Sequence, residues 1–250
     1  MNAMDMFRPT PEANLQRPFN LGRVFYVDNG IATASDSNEG TDPNHPLAKV
    51  QAGIDKCTDN QGDYVMVLDC YQEDTSTILL NSATSHVIGL STPASAGWTV
   101  LDGQSNDLIT LSGNYMEFAG FSLIATGKDA IHVSTGAGGY CWLHNLNFAT
   151  HAGTLVNGIE FDGTSAFTNS LVEDCYFGCT VTSLSGTAIT GNGIFYTVRN
   201  CMFRRCGTKC INVSAPETGG GWILHNYFDS RRQDSDPAGW AITLGSANAN

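Results

Sequence analysis

Two carboxylates stand one residue apart in "GIEFDG" (158–163), Glu160 and Asp162. On an extended strand alternate side chains share a face, so both point the same way, about 6–7 Å apart at Cα. Glycoside hydrolysis needs such a pair at a defined separation, one carboxyl as acid and the other as base or nucleophile. His132, in "AIHV" (130–133), joins them as a candidate catalytic residue one repeat upstream. A second set of residues points to ligand binding: His144, Glu173, Arg199 and His225, one to a repeat, with Arg231 and Arg232 in "DSRRQDSDPAGW" (229–240). They suit a saccharide or a protein partner, though Arg199 beside Glu173 also fits a cross-strand ion pair of small worth. No metal ligand set and no cofactor are expected. The eight cysteines lack the paired spacing of a structural zinc site. "DSNEGTD" (36–42) departs from the spacing of a calcium loop, so it reads as a turn.

The elements that position these residues recur. "LITL", "AIHV", "GIEF", "AITG", "CINV" and "AITL" begin at 108, 130, 158, 188, 210 and 241, each with isoleucine second and a polar residue third. A second word lies between them: "FAGFSL" (118–123), "LHNLNF" (143–148), "VEDCYF" (172–177), "VRNCMF" (198–203) and, slipped by one, "LHNYF" (224–228). Two words sharing a period of roughly 20–30 residues mark a stacked repeat. Both words alternate as strands do, and the second turns a corner at Gly120, Asn145, Asp174, Asn200 and Asn226, residue types that tolerate left-handed backbone. The expected fold is an all-β coil of parallel strands with about six turns. Phe121, Leu146, Cys175 and Cys201 form one inward column, and Leu123, Phe148, Phe177 and Phe203 another.

The third letters face outward: Thr110, His132, Glu160, Thr190, Asn212 and Thr243. Beside the corner, Ala119, His144, Glu173, Arg199 and His225 do the same. Polar residues at such positions are what any coil of this kind shows, so the plainer reading of both columns is a solvated surface.

The stretch "VFYVDNG…SDSNEGTDPNHPLAKVQAGIDKC…GDYVMVLDCYQE" (24–73) resembles the opening of the pectin-lyase-like right-handed parallel β-helix proteins. That likeness implies a right-handed coil and a carbohydrate-directed activity. It also implies a short N-terminal capping helix. The residues agree, since Pro46 suits a first helical turn and Leu47, Val50, Ile54 and Cys57 follow at helical spacing. The expected organisation is an extended arm over 1–22, a first strand, turn and capping helix over 23–60, and the coil over 61–250.

Charge narrows the function. Lys and Arg number 12 against 24 Asp and Glu, a net charge of −12. That argues against sequence-independent nucleic-acid binding and against docking on an anionic membrane. No secretory signal or membrane span is expected. The thiols read as reduced core filler. With little sequence after the last word to cap it, the coil is expected to engage partner chains. The favoured expectation is a structural or attachment component of a bacteriophage virion, such as a capsid decoration or tail spike, as a homotrimer. The alternative is a polysaccharide lyase or glycoside hydrolase working around Glu160.

Overall fold

A computed structural model describes residues 22–68, 77–90, 99–104, 106–126, 128–134, 140–148, 156–162, 170–178, 186–191, 196–204, 206, 209–213, 221–229 and 240–244. The arm expected over 1–22 lies, but for Gly22, outside them, as do Arg231 and Arg232.

Every ladder is parallel, and the chain visits three sheets in rotation. The first sheet holds Val24–Val27, Tyr64–Val67, His86–Gly89, Glu117–Ala119, Trp142–His144, Ser170–Glu173, Tyr196–Arg199 and Trp222–Leu224. The second holds Thr99–Gln104, Phe121–Thr126, Asn147–Phe148, Tyr176–Gly178, Met202–Arg204 and Tyr227–Asp229. The third holds Ile78–Leu80, Ile109–Leu111, Ile131–Val133, Asn157–Phe161, Thr187–Gly191, Lys209–Val213 and Trp240–Leu244. The molecule is a parallel β-solenoid. About four turns, Glu117 to Val213, are described on all three faces, nearly all side chains included; the remaining turns of the expected six rest on flanking strands described in part.

The second letter of the repeated word is the spine of the third sheet. Ile78, Ile109, Ile131, Ile159, Ile189, Ile211 and Ile242 pair in register. All but the last are essentially inaccessible to solvent. Each such side chain contributes about 1.5–3 kcal/mol by leaving water. In the second sheet, Phe148, Phe177, Phe203 and Phe228 stack as a ladder, with ring centroids 4.4, 4.9 and 4.9 Å apart. Cys175 and Cys201 are buried free thiols, filling the core as expected.

Corners are made by left-handed residues. Between the first and second sheets these are Gly120, Asn145, Asp174, Asn200 and His225, with φ of 82, 51, 51, 54 and 53°. Gly120 is obligatory, because a Cβ there would meet the Gly89 carbonyl oxygen at 2.1 Å. The last corner corrects the sequence reading, which put Asn226 at the bend. Tyr227 pairs with Met202, so there is no slip, and His225 takes the left-handed position. Asn226 falls in the next position, where its Oδ1 accepts the Cys201 N–H at 2.8 Å and its Nδ2 donates to the Val198 carbonyl.

The helix is also corrected. It spans only Val50–Ile54, with Lys49 extended ahead of it. Pro46 and Leu47 are not helical, because Leu47 pairs with Val27 to complete a sheet edge. The Leu47 N–H donates to the Tyr26 carbonyl, and the Tyr26 and Asp28 N–H groups donate to the Gly40 and Leu47 carbonyls. The loop thus covers the outer edge of the first strand, while Val50 and Ile54 pack into the core beneath. Within this loop the Asp36 carboxylate accepts the Ala48 and Lys49 N–H groups, which suits a structural turn. Among the described residues no helix is long and apolar enough to cross a membrane.

Candidate functional site

Glu160 and His132 pair directly on adjacent third-sheet strands, both on the outer side. Asp162 follows the Glu160 strand, and its N–H donates to the Val133 carbonyl. Asp107 and Asp129 each stand two residues ahead of a paired isoleucine, Ile109 and Ile131. The Asp129 N–H donates to Asp107 Oδ1 at 3.3 Å. Three successive turns therefore deliver four carboxyl groups around one imidazole. His132 Nδ1 lies 3.4 Å from Glu160 Oε2 and 3.8 Å from Asp107 Oδ2, and its Nε2 lies 3.9 Å from Asp162 Oδ2. One nitrogen or oxygen each from Asp129, His132 and Glu160 falls within 4.8 Å of the others.

The environments of these carboxyls differ. Asp162 is half exposed, whereas Asp129 is buried. Asp129 Oδ1 is inaccessible and has no hydrogen-bond partner. Burial, and then the Glu160 carboxyl beside it, pushes Asp129 well above the usual carboxylate range. The arrangement offers a proton donor next to carboxylates on one open face, and a donor set able to hold a cation. The expected residues Glu160, Asp162 and His132 are brought together; Asp107 and Asp129 were not anticipated. Their signal was present, because "D-x-I" precedes the third letter at both 107–109 and 129–131.

The expected binding set divides. His144, Glu173 and Arg199 lie in one outward column of the first sheet, on a different face from His132 and Glu160. The fifth member of that column is Leu224, which pairs with Arg199, and His225 sits at the corner instead. Glu173 is not solvated but buried, held by Arg199 through Nε and Nη2, both 2.8 Å from Oε1.

On this first-sheet face Glu117 is the centre of a second cluster that sequence reasoning missed. Its Oε2 meets His86 Nδ1 and its Oε1 meets His144 Nε2, both at 2.7 Å. Tyr64 stacks on His86 and Trp142 on His144, with centroids 4.3 and 4.0 Å apart. Burial opposes ionisation of Glu117, but the hydrogen bonds with His144 and His86 outweigh it and hold the carboxyl at about 2. A carboxyl depressed on folding stabilises the fold fully above its unfolded value of 4.5, and that stabilisation is lost as pH falls from 4.5 toward 2. The shift corresponds to about 3 kcal/mol. Glu117→Gln is expected to lower stability by that order at neutral pH and to flatten the acid limb of the stability–pH curve. Urea unfolding at a series of pH values measures both, and an unchanged acid limb would remove Glu117 from this role.

No protein-family model, curated protein or solved structure matches the chain.

Proposed function

We propose that the protein is a glycan-cleaving enzyme of the hydrolase or lyase kind, acting on a polysaccharide laid across the outer face of the third sheet. The observation that supports this is the convergence of Asp107, Asp129, Glu160 and Asp162 on His132 from three turns. Cleaving a glycosidic bond calls for a proton delivered to the leaving oxygen and a carboxylate on the other side of the reacting carbon. Glu160 on its strand and Asp162 just after it supply carboxylates, and His132 lies between them to hold or pass a proton. The likeness of residues 24–73 to pectin-lyase-like proteins adds support by analogy of fold. Glu160→Gln is expected to reduce turnover of a cleaved polysaccharide by about 10²–10⁴-fold while leaving the circular dichroism unchanged. Retained turnover would take Glu160 out of the site. A broad panel of polysaccharides left intact by the wild type would overturn the reading.

One observation favours a second reading, that of a component of a virion-like assembly. Trp222, Ile223, Leu224, Tyr227 and Ile242, all in the last described turn, expose large apolar side chains. Such a patch fits contact between protein chains. Quantifying the chain in purified particles, and its oligomeric state by light scattering, tests this reading; a monomer absent from particles would end it.

A further inference from the structure

We propose that Asp129, His132 and Glu160 form the seat of a divalent transition-metal ion, with Asp107 completing the ligand set. The proposal goes beyond glycan cleavage and does not depend on it.

Spacing is the first argument. Tetrahedral zinc has nitrogen and oxygen ligands about 2.0–2.2 Å away, which places neighbouring ligand atoms about 3.3–3.6 Å apart. His132 Nδ1 and Glu160 Oε2 are 3.4 Å apart, and Asp107 Oδ2 is 3.8 Å from the same nitrogen. Strand pairing sets Glu160 and His132 side by side, since they are direct partners in the ladder.

Asp129 is an independent second argument. It is 6% exposed, and its Oδ1 is buried without a hydrogen-bond partner. A buried acceptor left unpaired is unfavourable, and more so when charged. Asn157 and Glu160 hydrogen-bond the carboxyl without satisfying Oδ1; an ion reaching that oxygen from the cluster would satisfy it and screen the mutual repulsion of the carboxylates. Among the described residues, the basic side chain within 4.0 Å of Asp107, Glu160 and Asp162 is His132.

The far side of the imidazole supplies a third argument. Metal-bound histidines commonly present their other ring nitrogen to a carboxylate, which fixes the tautomer and the ring orientation. Asp162 Oδ2 stands 3.9 Å from His132 Nε2, so a small side-chain shift would let it accept that N–H and leave the Nδ1 lone pair facing Glu160 and Asp107. One imidazole with carboxylates suits zinc, manganese or iron(II), whereas calcium prefers an all-oxygen shell. The Glu117 cluster offers no comparable seat, because both its carboxylate oxygens are engaged by His86 and His144.

The test uses metal-stripped protein without any glycan, so its outcome is separate from that of the enzyme reading. Zn²⁺ is titrated by calorimetry and Mn²⁺ by loss of its free paramagnetic resonance signal, with Ca²⁺ as comparator. The proteins are the wild type, His132→Ala, Glu160→Gln, Glu39→Gln as an exposed charge control, and Cys210→Ser to exclude thiol binding. One equivalent of Zn²⁺ or Mn²⁺ is expected to bind the wild type and both controls. The two ligand variants are expected to lose at least about 100-fold in affinity, since even outer-shell changes cost 10–100-fold. Mn²⁺ should also broaden the His132 ring resonances of the wild type, a readout that needs no variant to fold. The proposal is overturned by the absence of saturable Zn²⁺ and Mn²⁺ binding, by binding that survives both ligand substitutions or vanishes in Cys210→Ser, or by tighter binding of Ca²⁺.

Discussion

Val198→Asp is expected to leave the chain without a cooperative fold, whereas Thr197→Asp, one residue earlier, changes stability by about 1 kcal/mol, the span of strand preferences. Val198 is fully buried on the inward side of the first sheet, paired with Val172 before it and Ile223 after it. Aspartate there would be ionised with no cation to pair with, or protonated with no partner for its hydroxyl. Either form carries a desolvation cost of several kcal/mol or more, against a total stability of about 5–15 kcal/mol for an ordinary domain. Each turn contacts only its neighbours, so the disruption spreads from one turn to the next. Thr197 faces outward between Leu171 and Trp222, and a carboxylate there reaches water. Far-UV circular dichroism and urea unfolding of the two variants measure the difference. Equal losses from both would mean that the inward and outward faces of this strand are reversed.

Phe177→Ala follows, with an expected loss of about 3–5 kcal/mol. Phe177 is inaccessible to solvent and stacked on both sides, by Phe148 at 4.4 Å and Phe203 at 4.9 Å, with rings within 7° of parallel. Truncation removes both stacks at once. The space left behind does not refill from its wall, because one neighbour of the ring is Gly158, which has no side chain to move in. Phe177→Leu should cost less, since it leaves a smaller cavity. Chemical denaturation gives both values, and a cost below about 1 kcal/mol for the alanine variant, the level of an average substitution, would show that the ladder relaxes around the gap.

The solenoid was legible because its physics repeats. An inward isoleucine stacked on an inward isoleucine must recur at the same phase of every turn, and so must the left-handed corner. What failed was whatever broke the repetition or depended on backbone demand. His225 at a corner was missed because asparagine, its neighbour, is the commoner left-handed residue. Leu47 was read as helical because its spacing to Val50 and Ile54 is helical, but side-chain periodicity does not register an unpaired strand edge, and that edge claimed its backbone. At the site, the outward letters Glu160 and His132 were visible as a column. Asp107 and Asp129 were not, since they lie just ahead of the strands. On the first sheet, His144 and Glu173 were placed correctly in a column. Their surroundings were not visible, because His86 and Glu117 lie outside the repeated words and nothing in their spacing signals that they meet His144.

The loop that donates Gly40 and Leu47 to the first strand has a consequence for how molecules meet. Sheets extend most readily by adding a strand at an open edge, and parallel stacks that do so end to end grow without limit. Here the edge of Val24–Val27 is already occupied by the chain's own backbone. A second copy therefore finds these backbone groups already taken at that edge of the first sheet. The same few hydrogen bonds that finish a strand thus also deny that edge to an added strand.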